Sequence, residues 1–192
     1  MKRLLLPAIP LLAAAPALAH EGHGAHGSAA AGFLHPLSGA DHMLAMAAVG
    51  LWAALLGGRA MWIAPAAFVS AMVAGFALGV AGVPVPMVEP MILASTVVLG
   101  LAAAAALRIG TAPAAALVAV FGLVHGHAHG GELGDAAALR FGLGFIAATA
   151  ALHAAGIGLG LGLKRLSARH GSRIAQVAGG AIALAGLSLA IG

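Results

Sequence analysis

The sequence predicts an all-α membrane protein, a bundle of about six transmembrane helices, and three observations carry that prediction. The 192-residue chain is 62% hydrophobic and 7% charged, with a mean hydropathy of +1.07. A soluble domain carries about 25% charged residues, so this chain lacks the polar groups to cover a globule in water. Its apolar runs approach or exceed the length needed to cross roughly 30 Å of hydrocarbon as helices. Its Lys and Arg fall in alternate breaks between those runs.

The elements follow in order. Lys2 and Arg3 precede an apolar stretch over 4–15 and a small-x-small site at Ala17-Leu18-Ala19, the pattern of a signal peptide over 1–19. Pro7, Pro10 and Pro16 and the short apolar length argue against an uncleaved first helix. Cleavage after Ala19 starts the mature chain at His20, on the periplasmic side of the bacterial inner membrane. Residues 20–34 read as a His- and Gly-rich periplasmic tail holding His20, His23 and His26. Residues 35–192 read as the membrane domain, with spans expected near 41–57, 61–82, 87–108, 111–129, 137–163 and 173–191. The first and fourth are short enough to be partly re-entrant. Small residues at Ala71, Gly75 and Gly79, and at Gly156, Gly158, Gly160 and Gly162, suit close helix packing.

Charge tests where the spans are placed, because their bounds rest on apolar runs alone. With His20 outside, the breaks after the first, third and fifth spans face the cytoplasm and hold Arg59, Arg108, Lys164, Arg165, Arg169 and Arg173. Of the Lys and Arg beyond the signal, Arg140 alone is outside, as the positive-inside rule requires. Both chain ends of the mature protein are then periplasmic. Trp52 and Trp62 flank the first inner break, where interfacial indoles are favoured. The acids Glu21, Asp41, Glu89, Glu132 and Asp135 all fall at or beyond the outer boundary.

The formal charge of +4 does not signal a nucleic-acid partner: basic residues are single or confined to one loop, and aromatics are 4% of the chain. The partner is the lipid bilayer. No cysteine is present, which removes disulfides and thiolate metal sites. No Gly-x4-Gly-Lys-Ser/Thr loop is present for nucleotide hydrolysis.

Ionisable side chains in apolar segments are costly and mark function by default. Here they form two clusters, His35-x5-Asp41-His42 and His125-Gly-His127-Ala-His129-Gly-Gly-Glu132. On a helix, His125, His129 and Glu132 share one face and His127 points away. Imidazole plus carboxylate without thiol is a ligand set for a borderline divalent metal. The residue before a proline avoids helix, so His35 is expected in an extended approach to the first span. Asp41 is either a ligand or a first-turn acid that stabilises the helix start. Glu89, ahead of Pro90, has the same two readings. Met43 and Met46 read as packing residues. His153, deep in the fifth span beside Thr149, is either hydrogen-bonded to a neighbouring helix or a second station on a metal path. The His20–His26 tract either gathers metal loosely or is a spacer.

Gly32-Phe-Leu-His35-Pro-Leu-Ser-Gly-Ala-Asp41-His42-Met-Leu-Ala-Met46-Ala-Ala-Val-Gly50 closely resembles the first signature of the HupE/UreJ family of nickel/cobalt permeases, and His125-Gly-x-Ala-His129-Gly-x-Glu132 resembles its second. Arg59-Ala-x-Trp62, Glu89-Pro90 and Gly144-Phe-Ile-Ala-Ala-Thr149-Ala-x-x-His153-Ala-Ala-Gly156 add to the likeness. Val124 departs from the Phe usual in the family just before the second signature. The resemblance implies a cleaved signal, six spans and uptake of Ni²⁺ or Co²⁺ as transported substrate, for hydrogenase, urease or cobalamin synthesis, with no organic cofactor. It implies metal contacts at His35, Asp41, His42, His125, His129 and Glu132. The residues alone admit Ni²⁺, Co²⁺, Zn²⁺ or Cu²⁺; the preference for nickel comes from the resemblance. Two other readings are a membrane-embedded metal-dependent hydrolase, with Glu132 as base on a metal-bound water, and a non-transporting metal-binding accessory protein. The permease expectation is that of a non-enzyme.

Overall fold

The computed structural model describes residues 27–131, 135–167 and 170–191, which form seven helices and no strand. They are α1 (Ala29–Ser38), α2 (Ala40–Leu56), α3 (Ala60–Val80), α4 (Val88–Ala104), α5 (Thr111–Gly130), α6 (Asp135–Leu166) and α7 (Gly171–Ile191). The signal segment, His20, His23, His26 and Glu132 lie outside the described residues.

Four helices have the length and apolarity to cross a membrane: α3, α5, the 137–166 part of α6, and α7. The protein is therefore a multi-pass membrane protein. Two of the six expected spans are not single helices long enough to cross. The first is a pair, α1 and α2, bent by 87° at Gly39. The third is the 17-residue α4, about 25 Å long at helical rise. It stops at Ala104 and not near 108, because Ala106 takes φ 45° and the Leu107 N–H turns back to the Ala102 carbonyl. That is a Schellman closure with alanine in glycine's usual place. The fourth span, expected to be short, is the full 20-residue α5.

His35 is also not extended. It lies inside α1, which begins at Ala29 with the Ser28 side chain capping Ala31 N–H and runs through Pro36. Packing outweighs the local bias before proline: Gly32 and Pro36 are buried, and Gly32 sits so close to Phe141 of α6 that a methyl group there would overlap its backbone. The helical bundle thus starts ahead of position 35.

Packing directions agree with alternate crossing. α5 runs parallel to α3, Gly122 lying against Phe68, Gly126 against Met72 and Gly130 against Phe76. A methyl group on Gly126 would overlap the Met72 carbonyl, so the two backbones touch. α6 runs parallel to α2, with Gly156 against Ala47 and Gly160 against Ala54. Gly158 and Gly162 face open space, so only half of that alternating set packs. α4 and α7 are antiparallel, Gly100 meeting Ala183 and Ala104 meeting Gly179. Helices two or four apart in sequence run the same way, and those three apart run oppositely. The starts of α2, α4 and α6 thus share one end with the finishes of α3, α5 and α7.

The core gathers Met46, Leu51, Trp52, Phe68, Met72, Leu99, Val118 and Phe145. Trp52 is not interfacial: it is fully buried and its indole N–H donates to the Leu107 carbonyl at 2.9 Å. Trp62 is 64% exposed, as an interfacial residue would be. At the opposite end from the histidine clusters, Lys164 Nζ donates to the Ala54 carbonyl at 2.7 Å, satisfying one of the open carbonyls in the last turn of α2.

Candidate functional site

The α2 start and the α5 finish bring their histidines into one buried group. Asp41 lies in the first turn of α2, whose N-cap is Gly39. Its Oδ1 accepts two bonds from the next residue, from His42 N–H and from His42 Nδ1–H, each 2.9 Å. Thr96 of α4 donates to the Asp41 carbonyl at 3.1 Å, which pins that turn. A carboxylate can only accept, so the His42 proton sits on Nδ1 and the Nε2 lone pair faces inward.

That Nε2 meets Nε2 of His129 at 2.7 Å. With His42 Nε2 accepting, the hydrogen between them belongs to His129, and His129 Nδ1 is left as a buried acceptor with no partner. His125 lies one turn earlier on α5 and is fully buried. Its Nδ1–H donates to the Phe121 carbonyl at 2.8 Å, and its Nε2 lone pair has no partner. His35 arrives from α1, its ring 4.3 Å from that of His129 and 6.4 Å from that of His42. The His42 ring is 5.0 Å from His125 and 4.8 Å from His129. Phe68, Phe141 and Phe145 wall the group.

Orphaned lone pairs oriented by a second hydrogen bond are how metal-binding imidazoles are prepared: the partner fixes the tautomer and leaves the other nitrogen for the ion. As placed, the nitrogens are closed on one another. Among the described residues no three His, Asp or Glu side chains converge at metal-ligand geometry. Two imidazoles on one ion at about 2.0–2.1 Å sit roughly 3.0 Å apart at a right angle and about 3.4 Å at a tetrahedral one. Opening the 2.7 Å contact by a few tenths of an ångström, with the His129 hydrogen moved from Nε2 to Nδ1, would turn both Nε2 lone pairs toward one ion.

The other sequence candidates divide. His127 faces away as expected, its Nε2–H donating to the Val83 carbonyl at 2.7 Å. Glu89 is exposed and lines a cleft with Leu93, Val97 and Ala190 on the α4–α7 side; no described ion pair links it to the imidazoles. Met46 is a core residue. His153 is 2% exposed, its ring 5.0 Å from Phe68, and neither ring nitrogen has a hydrogen-bond partner. A bond to a neighbouring helix, one of its two expected roles, is absent. Sequence reading missed the Phe121 carbonyl, which its place four residues before His125 could have suggested, and the aromatic walls, for which no sequence signal exists.

A protein-family model described as HupE / UreJ protein matches residues 8–189. The chain is 46% identical over 181 residues to Protein HupE of Rhizobium leguminosarum bv. viciae, covering 93% of each chain. No solved structure matches it. With that match running almost end to end, and both histidine signatures meeting in one buried group, the chain belongs to the HupE/UreJ family.

Proposed function

We propose that this protein is a permease that carries a divalent transition-metal ion, Ni²⁺ or Co²⁺, inward across the bacterial inner membrane. The carrying observation is the His42–His129 contact: two imidazoles from helices distant in sequence face each other at 2.7 Å inside an apolar bundle, one oriented by Asp41. His35, Asp41, His42, His125 and His129 form the entry site, with Glu132, which lies outside the described residues, as a sixth ligand. The His20–His26 tail feeds it. In this reading the bent α1–α2 pair and the short α4 complete six crossings. The site end is periplasmic, and Arg59, Arg108, Lys164, Arg165 and Arg173 lie on the cytoplasmic end, which supports that orientation.

An inside-negative potential supplies about 4.6 kcal/mol per 100 mV to a doubly charged ion, so transport needs no nucleotide. The reaction is translocation and not catalysis. The test is uptake of radioactive Ni²⁺ into proteoliposomes holding only this protein, compared with His42→Ala and His129→Ala. Accumulation that follows the imposed potential and is lost in both variants is the expected result. Tight, unexchanged metal with no flux would instead favour the accessory or hydrolase readings.

A further inference from the structure

Glycine contacts divide the bundle into units. α3 and α5 are joined along their length by backbone on backbone: Gly75 lies on the Leu123 carbonyl, Gly126 on that of Met72 and Gly130 on that of Phe76. α6 is joined in the same way to α1 through Gly32 and Gly144, and to α2 through Gly50 and Gly156. No side chain stands between the backbones at these points, so neither unit can shear internally without a clash. The two units share out the candidate ligands. His125 and His129 are on α5, whereas His35, Asp41 and His42 are on α1 and α2. An ion held by both sets bridges the units.

Where the units meet, along α3 and α6, the packing is of another kind. No glycine of either helix has the other's backbone among its close neighbours; Gly142 faces only the edge of the Phe76 ring. The contacts are made by side-chain tips. The Phe68 ring meets that of His153 at 5.0 Å, Thr149 donates its hydroxyl to Met72 Sδ at 3.5 Å, and the Phe76 ring stacks on Phe141 at 6.4 Å. Two voids lie along the same seam. One of about 480 Å³ separates Pro65 and Val69 from Ala150 and Ile157, and one of about 40 Å³ lies among Met72, Phe76, Phe145 and Ile146. A void forfeits the dispersion contacts its walls would make, so little holds α3 to α6. The larger one offers a single imidazole, that of His153, among apolar side chains, too few ligands to hold a divalent cation by itself.

Resting on the permease reading, we infer that α3 and α5 move as one unit against α1, α2 and α6, with the α3–α6 seam as the sliding surface and the ion as the link between them. Packed helices shift past one another by about 1–2 Å in such transitions. The 2.7 Å His42–His129 contact needs only a few tenths of an ångström to reach metal-ligand spacing. Ligands contributed from both sides meet the ion fully in one arrangement alone, so the ion draws the population toward it. The opposite shift parts His125 and His129 from His42 and divides the set, which is how a site made of two halves releases its ion.

The chain has no cysteine, so introduced thiols are its only ones. Val69→Cys with Ala150→Cys spans the larger void. Ala71→Cys with Ala119→Cys lies inside the α3–α5 unit, one turn before the Gly75–Leu123 contact on both helices. Each pair is closed, in the full-length protein in proteoliposomes, with the shortest bifunctional methanethiosulfonate that reaches, and radioactive Ni²⁺ uptake is followed. Closing the 69–150 pair is expected to lower uptake at least about tenfold, with recovery when dithiothreitol cuts the link. Closing the 71–119 pair should leave uptake within about twofold, as should a one-armed reagent on the seam thiols. Val73→Cys with Ile146→Cys, at the smaller void, is the second seam pair should the first fold poorly. Uptake that survives closure of the seam, or that falls as far with the 71–119 pair or the one-armed reagent, overturns the moving seam and leaves the permease reading standing. If the unmutated protein moves no Ni²⁺, the permease reading falls and takes the seam with it.

Discussion

The α3–α5 seam and the α4–α7 seam are both built from glycine and alanine with backbones in close approach, yet they treat polar atoms in opposite ways. On α4 the buried Ser95 donates to the Ile92 carbonyl and the buried Thr96 to the Asp41 carbonyl. Around α3–α5, and on α6 against it, His125 Nε2, His129 Nδ1 and both ring nitrogens of His153 are buried without partners. Among the described residues these are the only buried side-chain nitrogen or oxygen atoms so placed. Glycine packing by itself therefore does not explain the orphans, since the second seam also relies on it and its buried hydroxyls have partners. The cost is concentrated where an ion would repay it, as expected when stability is given up for a binding site.

The comparison breaks most sharply at His129. On the permease reading, His129→Ala should lower Ni²⁺ uptake by about a hundredfold or more, since it would remove a direct ligand and not just an orienting group. It should also lower the melting temperature, because His42 Nε2 loses its donor and a void opens among buried rings. Ser95→Ala should cost about 1 kcal/mol of stability with little effect on flux.

Backbone contact offers a second contrast. Gly126→Leu drives a side chain into the Met72 backbone and should destabilise by about 1–3 kcal/mol or more. Gly158→Leu, one helix away and facing open space, should be nearly silent; thermal melts in detergent read both.

Two smaller tests sharpen the site itself. Asp41→Asn keeps an acceptor for His42 Nδ1–H but removes the charge, so Ni²⁺ affinity should fall about tenfold. External acidification should act in the same direction. Protonated imidazole has no lone pair, and imidazole gains its proton around pH 6.5 in water. Uptake should thus be greatest above that value and fall as the external pH drops from 7.5 to 5.5. A flat profile would count against histidine ligation. The smallest effect is expected at Ala106, whose φ of 45° favours glycine. Ala106→Gly should add up to about 1 kcal/mol and leave transport unchanged.

Much of this was legible in the chain because lipid imposes simple rules. The apolar runs at 61–82 and 111–129 became α3 and α5 nearly residue for residue, and the spacing of His125 and His129 placed both on one helical stripe. What was not legible depended on tertiary contact. Pro36 argued for an extended His35, but α6 supplied a surface close enough to hold α1 helical across it. Trp52 argued for an interface, yet the turned-back Leu107 carbonyl gave its N–H a partner inside the core. Glu89 carried the same first-turn signature as Asp41, and only the packing of α4 against α7 separates the two.

The corner at Gly39 ties the architecture to the chemistry. Its backbone angles, φ −97° and ψ 120°, are open to any amino acid, so the turn itself makes no demand for glycine. The demand comes from next door: an added β-carbon would stand 2.8 Å from Asp41 Oδ1 and 3.2 Å from His42 Nδ1. One methyl at the elbow would thus dislodge the carboxylate that decides which nitrogen of His42 carries hydrogen. The corner of the fold and the tautomer of His42 depend on one position, and neither can be redesigned alone.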